Sequence, residues 1–294
     1  MNNFFLKLEK IFNILVSDKY QKYLKRINSI VALFCIVYIS NIYYENKINL
    51  NLLISINISE LFLLVLANLF SMIMWIKYMN FNYGSNTIYY LANWSYSKLG
   101  KYFPVGILTF SIRLNQEFNK NSSSKKIFTG LLEEQFLGPI TLIPALVFYF
   151  LSFPIQKSIY LFYFYILISV YIVKKTYYKI FKPNNSLLDF SFLLSLTHFS
   201  MFLFILQISS RSNFDFPILI SILYFLATSL SNIFVGVPAG IGIREFIFLF
   251  ITNNYLSNLD LVNFIFEIRL ALITVDFLIA ISGFIFFNFK YKNN

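Results

Sequence analysis

The sequence has little charge, one cysteine and one histidine, and each shortage narrows what the protein can be. Only 13% of its 294 residues are charged, whereas soluble domains carry roughly a quarter. The single cysteine, Cys35, excludes a disulfide framework within the chain and a cysteine metal site. No nucleophile paired with a base, no metal-ligand cluster and no Walker-type phosphate loop is recognisable. The sequence therefore predicts neither a bound metal nor a cofactor.

Apolar residues dominate what is present, at 58% of the chain. They form runs about as long as the ~20 residues that a bilayer-spanning helix requires. These runs lack the period-two alternation of a membrane barrel. The predicted fold class is therefore all-α: a polytopic membrane protein with about eight transmembrane helices plus a re-entrant, Gly/Pro-broken helix pair.

Positive charge predicts the orientation. The formal charge is +11, but the lysines lie in short loops between apolar runs, so the positive-inside rule explains them better than nucleic-acid binding does. Residues 1–26 are predicted to form a basic amphipathic arm on the cytoplasmic face, and residues 27–294 a single transmembrane domain. Both termini are predicted to be cytoplasmic, in the inner membrane of a prokaryote, and the oligomeric state is left open.

The predicted spans that bear on function follow from the apolar runs. They are 50–78, 127–153, 158–173, 187–209, 216–235 and 261–289, with a short helix to about residue 252. The stretch 86–114 is predicted to dip into the membrane as two short helices and return, because a straight span would bury two lysines near its middle. Trp75, Lys77 and Tyr78 are predicted to form an interfacial anchor, and Glu60 is predicted to face the bundle interior.

One stretch stands out because it combines a break in an apolar segment with a charged pair. The break consists of Gly236, Pro238, Gly240 and Gly242, and Arg244 and Glu245 follow it directly. Glycine and proline interrupt a regular helix and leave backbone groups unpaired. In lipid this is tolerated only where the backbone is buried in protein or lines a wet cavity. The stretch therefore predicts a substrate site, and the alternative for Arg244 and Glu245 is an internal ion pair that holds two helices together.

A second break in the first half of the chain resembles this one. It consists of Gly100, Pro104 and Gly106, with Arg113 downstream. Paired breaks in corresponding positions of two halves indicate a midplane site in transporters. Internal symmetry and chance agreement of two short Gly/Pro segments both remain open at this point.

The charged residues within the apolar runs have two interpretations each. Glu133 and Glu134 are predicted either to hold the arginines of an empty site or, because they point about 100° apart, to divide between bundle and water. Glu267, Arg269 and Asp276 either complete the cavity or pair with Arg244 and Glu245 as packing contacts. The histidine, His198, is predicted to be a core residue rather than a proton relay.

These motifs resemble the flippase-like family that includes the transmembrane region of lysylphosphatidylglycerol synthase. The resemblance is carried by Gly100-Lys101-Tyr102-Phe103-Pro104 with Arg113, by Glu133-Glu134, and by Pro238-Ala239-Gly240-Ile241-Gly242-Ile243-Arg244-Glu245. It covers nearly the whole chain from about residue 27, although Ala239 stands where a second glycine is expected. The chain has no soluble aminoacyl-transfer domain, so the resemblance does not extend to lipid aminoacylation.

The resemblance implies a protein that translocates or handles anionic amphiphilic lipids, or that works beside enzymes of surface-polysaccharide assembly. The expected headgroup-binding residues are Arg113, Arg244, Glu245, Gly240, Gly242, Glu133, Glu134 and Arg269. The expected partners are membrane lipids, together with envelope glycosyltransferases or lipid-modifying enzymes. Nucleic acid is not an expected partner. Two alternatives stay open: a membrane-embedded glycosyltransferase or its subunit, and a scaffold for polysaccharide enzymes.

Overall fold

The computed structural model describes residues 56–84, 87–100, 130, 134, 164–165, 167–175, 190–212, 214–231, 243–252 and 258–291. Within them six helices have defined bounds: α1 Ile58–Tyr83, α2 Thr87–Gly100, α3 Ser191–Arg211, α4 Pro217–Ser231, α5 Ile243–Thr252 and α6 Asn258–Tyr291. Residues 130, 134, 164–165 and 167–175 are helical as well. All regular structure in these ranges is helical, which confirms the all-α part of the predicted fold class for the described part of the chain; the eight spans and the re-entrant pair stay predictions.

The bounds of α1 follow from its flanking residues. At its start, the backbone N–H of Asn57 donates to Glu60 Oε2 over 2.9 Å, so a first-turn carboxylate satisfies a donor that the helix leaves unpaired. At its end, Gly84 has a φ of 90°, and its N–H donates to the carbonyl of Asn80. A positive φ of this kind costs glycine little, which is why the helix stops here.

Helices α3 and α4 form a hairpin with a short connection. Pro217 is the first residue of α4, a position where proline's missing N–H and fixed φ suit a helix start. The hydroxyls of Ser209 and Ser221 lie 2.7 Å apart across the hairpin. Both hydroxyls also lie within hydrogen-bond distance of the Pro217 carbonyl, so the two serines join α3 to the first turn of α4.

The helices pack in two core clusters. The larger joins α1, α3, α4, α5, α6 and the helical residues 164–175; its fully buried members include Phe202, Phe204, Tyr224, Phe248 and Phe264. The smaller joins α1, α2 and the start of α3, and contains Met74, Trp75, Tyr78, Met79, Tyr90 and Trp94. The most extensive helix contacts are those of α1 with α3 and of α6 with α2.

Glycines allow two of these contacts to be very close. The backbone of Gly283 on α6 packs directly against the side chain of Ser95 on α2. A Cβ atom at Gly130 would lie 2.5 Å from the ring of Tyr78, so the helix that contains Gly130 packs directly on α1. Small residues at helix crossings are typical of packing in membranes, where backbones approach closely.

Two helices of the described ranges, spanning Ile58–Asn82 and Ser191–Arg211, are long and apolar enough to cross a membrane. Several of their polar side chains bond within their own helices. Asn68 Nδ2 donates to the carbonyl of Leu64, and the Thr197 hydroxyl donates to that of Leu193. The same helices expose large apolar side chains, among them Phe62 and Phe192. This combination suits a helix surrounded by hydrocarbon.

Two sequence-based expectations change here. Trp75 and Tyr78 are not an interfacial anchor: both are fully buried between α1 and α2, and of the three residues only Lys77 is exposed. Their rings stack with centroids 5.8 Å apart, so packing rather than the membrane interface determines their position. The predicted span 50–78 begins and ends later, as α1 at Ile58–Tyr83. The predicted arm, residues 1–26, lies outside the described residues.

Candidate functional site

The structure describes only part of the predicted site. Arg244 and Glu245 lie in the first turn of α5, and Arg269 lies in α6. Gly100 is the last residue of α2, where the first predicted break begins, and Glu134 is helical and half-buried. The remaining predicted site residues lie outside the described residues: Pro104, Gly106, Arg113, Glu133, Gly236, Pro238, Gly240 and Gly242.

Helix α5 begins directly after the Gly/Pro stretch, as the sequence predicts, and carries its charged pair inward. Arg244 is 5% exposed and Glu245 is 3% exposed. Glu245, in the first turn, also benefits from the positive end of the helix dipole, which favours a carboxylate there. The neighbouring Phe246 and Phe250 point outward and stack on each other with centroids 6.1 Å apart. The helix thus presents charge to the protein interior and aromatic rings to the outside.

Arg269 of α6 meets this pair from the other side. Its Nε donates to Glu245 Oε1 over 2.5 Å, and Arg244 Nε lies 3.5 Å from the same oxygen. One carboxylate oxygen is therefore shared by two guanidinium groups from two helices. We call Arg244, Glu245 and Arg269 the Arg244 cluster. The direct pairing of Arg269 with Glu245 agrees with one of its two interpretations, and a role in a binding site stays a prediction.

An aromatic wall borders the Arg244 cluster. The guanidinium carbon of Arg244 lies 5.7 Å from the ring centroid of Tyr224, within the range of a cation–π contact. Tyr224 packs edge-on against Phe248 and Phe264, with centroid distances of 5.2 and 5.5 Å. Residues of α4, α5 and α6 thus enclose the arginine in a dry setting, where its electrostatic interactions are stronger than in water.

The hydroxyl of Tyr224 is unusual within this wall. The residue is 0% exposed, and its oxygen has no hydrogen-bond partner among the described residues. Buried polar groups normally have a partner, because an unpaired one costs about 1–3 kcal/mol. Sequence reasoning missed this residue, and no local signal marks it among the 21 tyrosines of the chain.

A second buried ion cluster lies on the other side of α6. Arg211, the last residue of α3, places its Nη2 2.7 Å from Glu267 Oε2 and 3.4 Å from Glu60 Oε2. We call these three residues the Arg211 cluster. Glu60 is 1% exposed, so it faces the bundle interior as its place in an apolar run predicts. The sequence did not predict Arg211 as its partner. Arg211 follows the apolar run, a position where cations commonly lie in exposed loops.

The two clusters share α6 and one end of the bundle. Glu267 and Arg269 are two residues apart, so they project from α6 about 200° apart and differ in height by about 3 Å. Glu267 bonds the last residue of α3 and faces a first-turn residue of α1. The Arg244 cluster therefore lies near one end of these two helices. By contrast, a symmetric pair of breaks predicts a site nearer the middle of the helices.

His198 and Asp276 are the other candidate polar groups of the described ranges. His198 lies in the middle of α3 and packs edge-on against Phe225, with ring centroids 5.7 Å apart. Asp276 is buried on α6, away from the helix ends. Within the described residues no group of three or more His, Cys, Asp or Glu side chains is arranged to hold a metal ion.

Comparison of the chain with protein-family models, curated proteins and solved structures finds no match in any of the three.

Proposed function

We propose that this protein is an integral membrane protein of the flippase-like kind, which translocates or handles an anionic amphiphilic lipid in envelope or surface-polysaccharide biogenesis. The observation that carries the proposal is the Arg244 cluster. Two guanidinium groups on separate helices converge on one buried carboxylate inside an apolar helical bundle. Charged groups in such a place are costly, and they commonly mark a substrate path.

Anion recognition is the chemistry that these residues suit. Arginine offers a planar fork of donors that matches carboxylate and phosphate oxygens. The three charged side chains of the Arg244 cluster together carry one net positive charge. The first turn of α5 adds backbone N–H groups and the positive end of a helix dipole. A phosphate headgroup would therefore find both charge and hydrogen-bond donors at this point.

Glu245 has a specific role in this proposal. Its carboxylate takes the position between the two guanidinium groups that a headgroup oxygen would take, so it acts as an internal anion while no lipid is bound. The pairing avoids leaving bare cations in a dry core, which would cost several kcal/mol per ion. When a lipid enters, its phosphate replaces Glu245 at one or both arginines, and the acyl chains stay in contact with hydrocarbon.

The proposed membrane arrangement is about eight spans plus a re-entrant pair, in the inner membrane of a prokaryote, with both termini cytoplasmic. Support comes from the two helices that are long and apolar enough to cross a membrane and from the lysine-rich loops. Helix α2, Thr87–Gly100, lies within the stretch 86–114 that is predicted to form the re-entrant pair.

The two alternative functions, glycosyltransferase and scaffold, depend on different residues. A lipid-linked glycosyltransferase needs carboxylates at one membrane face, and Glu60 is one of the few candidates. In the described ranges Glu60 is held by the Asn57 backbone and lies beside Arg211, so it is engaged structurally. A scaffold needs only the basic loops. No described feature favours either alternative over lipid handling.

Reconstitution into liposomes separates these functions. Fluorescent phosphatidylglycerol in the inner leaflet, bleached from outside, reports transfer between leaflets, and rates are taken per folded protein. We expect transfer by the wild type and at least a tenfold loss with Arg244→Gln, because a buried charge-assisted contact contributes about 1.5–3 kcal/mol. Lys77→Gln, which removes an exposed cation of α1, is the control and should transfer normally.

The same preparation tests the alternatives. Turnover of a lipid-linked sugar without leaflet transfer would replace the proposal with the glycosyltransferase, and inactivity in both assays would leave the scaffold. Equal transfer by Arg244→Gln and the wild type would contradict the assignment of the site.

A further inference from the structure

We infer that the Tyr224 hydroxyl is part of the same site and donates a hydrogen bond to a phosphate oxygen of the bound lipid headgroup. The inference rests on the proposed function and deepens it, because it names a third ligand and narrows the substrate class to lipids that carry a phosphodiester.

The first argument is the position of Tyr224. Its ring supports the guanidinium of Arg244, and its hydroxyl lies within the electrostatic reach of Arg244, Glu245 and Arg269. The residue comes from α4, whereas the arginines come from α5 and α6. A headgroup at the cluster would therefore be held from three helices, which fixes its orientation better than two charges alone.

The second argument is the missing partner. The hydroxyl is fully buried and makes no hydrogen bond to any described residue. Other buried hydroxyls in the same helices bond a carbonyl of their own helix, as Ser231 does with Thr228 and Thr252 with Phe248. Tyrosine cannot reach its own backbone in this way, and phenylalanine would fill the same space without the penalty. A buried donor that lacks a partner in the empty state is explained if the ligand supplies the acceptor.

The third argument concerns the kind of anion. A phosphodiester has one negative charge spread over two nonbridging oxygens, and each oxygen accepts more than one hydrogen bond. It can thus receive both guanidinium groups and the hydroxyl together. The Arg244 cluster side chains carry one net positive charge, which one such group neutralises. The aromatic wall of Tyr224, Phe248 and Phe264 makes the surroundings apolar, which strengthens the hydrogen bonds that would hold such a group.

Binding of a short-chain lipid to the purified full-length protein tests the inference. The probe is dioctanoyl phosphatidylglycerol in a neutral detergent, with dioctanoylglycerol as the phosphate-free control and inorganic phosphate as the chain-free control. We expect Tyr224→Phe to weaken phosphatidylglycerol binding about tenfold, because a hydrogen bond to a charged group is lost. Dioctanoylglycerol should bind wild type and variant equally. Tighter binding of inorganic phosphate than of the lipid would overturn the lipid assignment.

The stability of the lipid-free variant provides a second readout. Because the hydroxyl has no partner among the described residues, Tyr224→Phe should unfold at the same or a higher temperature than the wild type. Tyr90→Phe, which alters a buried tyrosine of the other core cluster, is the matched control and should leave lipid binding unchanged. Loss of stability in Tyr224→Phe would mean that the hydroxyl has a structural partner, which would overturn the inference.

Failure of the inference is distinguishable from failure of the proposed function. If Arg269→Gln weakens phosphatidylglycerol binding and Tyr224→Phe does not, the anion site stands and the role of Tyr224 is wrong. If the wild type binds phosphatidylglycerol no better than dioctanoylglycerol, the proposed function and the inference fail together.

Discussion

Arg269 and Glu245 lie 24 residues apart in sequence, on different helices, and form a closer contact than Glu245 makes with its neighbour Arg244. The Arg269 Nε to Glu245 Oε1 distance is 2.5 Å, against 3.5 Å from Arg244 Nε. The ion pair that the sequence places within one helix turn is thus mainly an interhelical contact. It joins the helix that follows the Gly/Pro stretch to the last helix of the chain.

This contact predicts a measurable coupling. Arg269→Met and Glu245→Leu should each destabilise the protein by about 3–5 kcal/mol, because each leaves a buried charge without its main partner. The double variant should be less destabilised than the sum of the two by about 2 kcal/mol. Unfolding in mixed detergent, followed by circular dichroism, measures all three. Additive losses would show that the two residues do not interact.

The Arg211 cluster predicts a structural effect without a transport effect. Arg211→Gln should destabilise the ends of α1 and α3 by about 3 kcal/mol, because Glu60 and Glu267 lose a shared cation. Hydrogen exchange should accelerate in the first turn of α1 and the last turn of α3. Phosphatidylglycerol transfer per folded protein should stay within a factor of about two, which is about 0.4 kcal/mol. A loss as large as that in Arg244→Gln would mean that this cluster also handles lipid.

A larger residue at Gly283 is expected to disturb the contact between α2 and α6. Gly283→Ala should destabilise the protein by about 1–3 kcal/mol, because a methyl group would overlap the Ser95 side chain. Ser282→Ala, at an exposed position next to it, should change stability by less than about 0.5 kcal/mol. Thermal unfolding compares the two, and equal effects would place the helix crossing elsewhere.

We expect His198 to be a core residue and not a proton relay. Its Nδ1 is buried without a hydrogen-bond partner among the described residues, and its ring packs against Phe225. His198→Leu should therefore keep lipid transfer and leave stability unchanged or raised by about 1 kcal/mol. Transfer rates measured with and without a proton gradient provide the check. Loss of a gradient effect in the variant would assign the histidine a role in coupling.

The sequence predicted the class of fold well and the helix limits approximately. Long apolar runs without period-two alternation predicted helices, because only helices and closed barrels satisfy the backbone in lipid, and every described element is helical. The start of α5 after Gly242 followed from glycine and proline chemistry, and the start of α4 at Pro217 was predicted within a residue. The start of α1 was predicted eight residues early, because apolar content continues through 50–57 while the cap at Asn57 decides the limit.

The candidate site was predicted only in part, for physical reasons. Arg244 and Glu245 could be recognised because charge inside an apolar run is rare. The pairing of Arg269 with Glu245 depends on which faces of the helices lie together. The same holds for the contacts of Arg211 with Glu60 and Glu267. An apolar run without a strong amphipathic pattern does not show from its own sequence which face meets which neighbour. For the same reason Trp75 and Tyr78, which suggested an interface, belong to the core.

The central claim is that Glu245 holds the place of an anionic headgroup between two arginines, and Glu245→Gln tests it most directly. A purely structural pair predicts loss of stability alone, about 3–5 kcal/mol, because the arginines lose their anion. The proposed exchange predicts that loss together with tighter lipid binding, because the headgroup no longer competes with the carboxylate.

The measurement is the affinity of the purified variant for dioctanoyl phosphatidylglycerol, with Lys77→Gln as the control. The account predicts an affinity about tenfold higher than that of the wild type, a gain of about 1.4 kcal/mol, and an unfolding temperature that the lipid restores toward the wild-type value. An affinity equal to or below that of the wild type would contradict it.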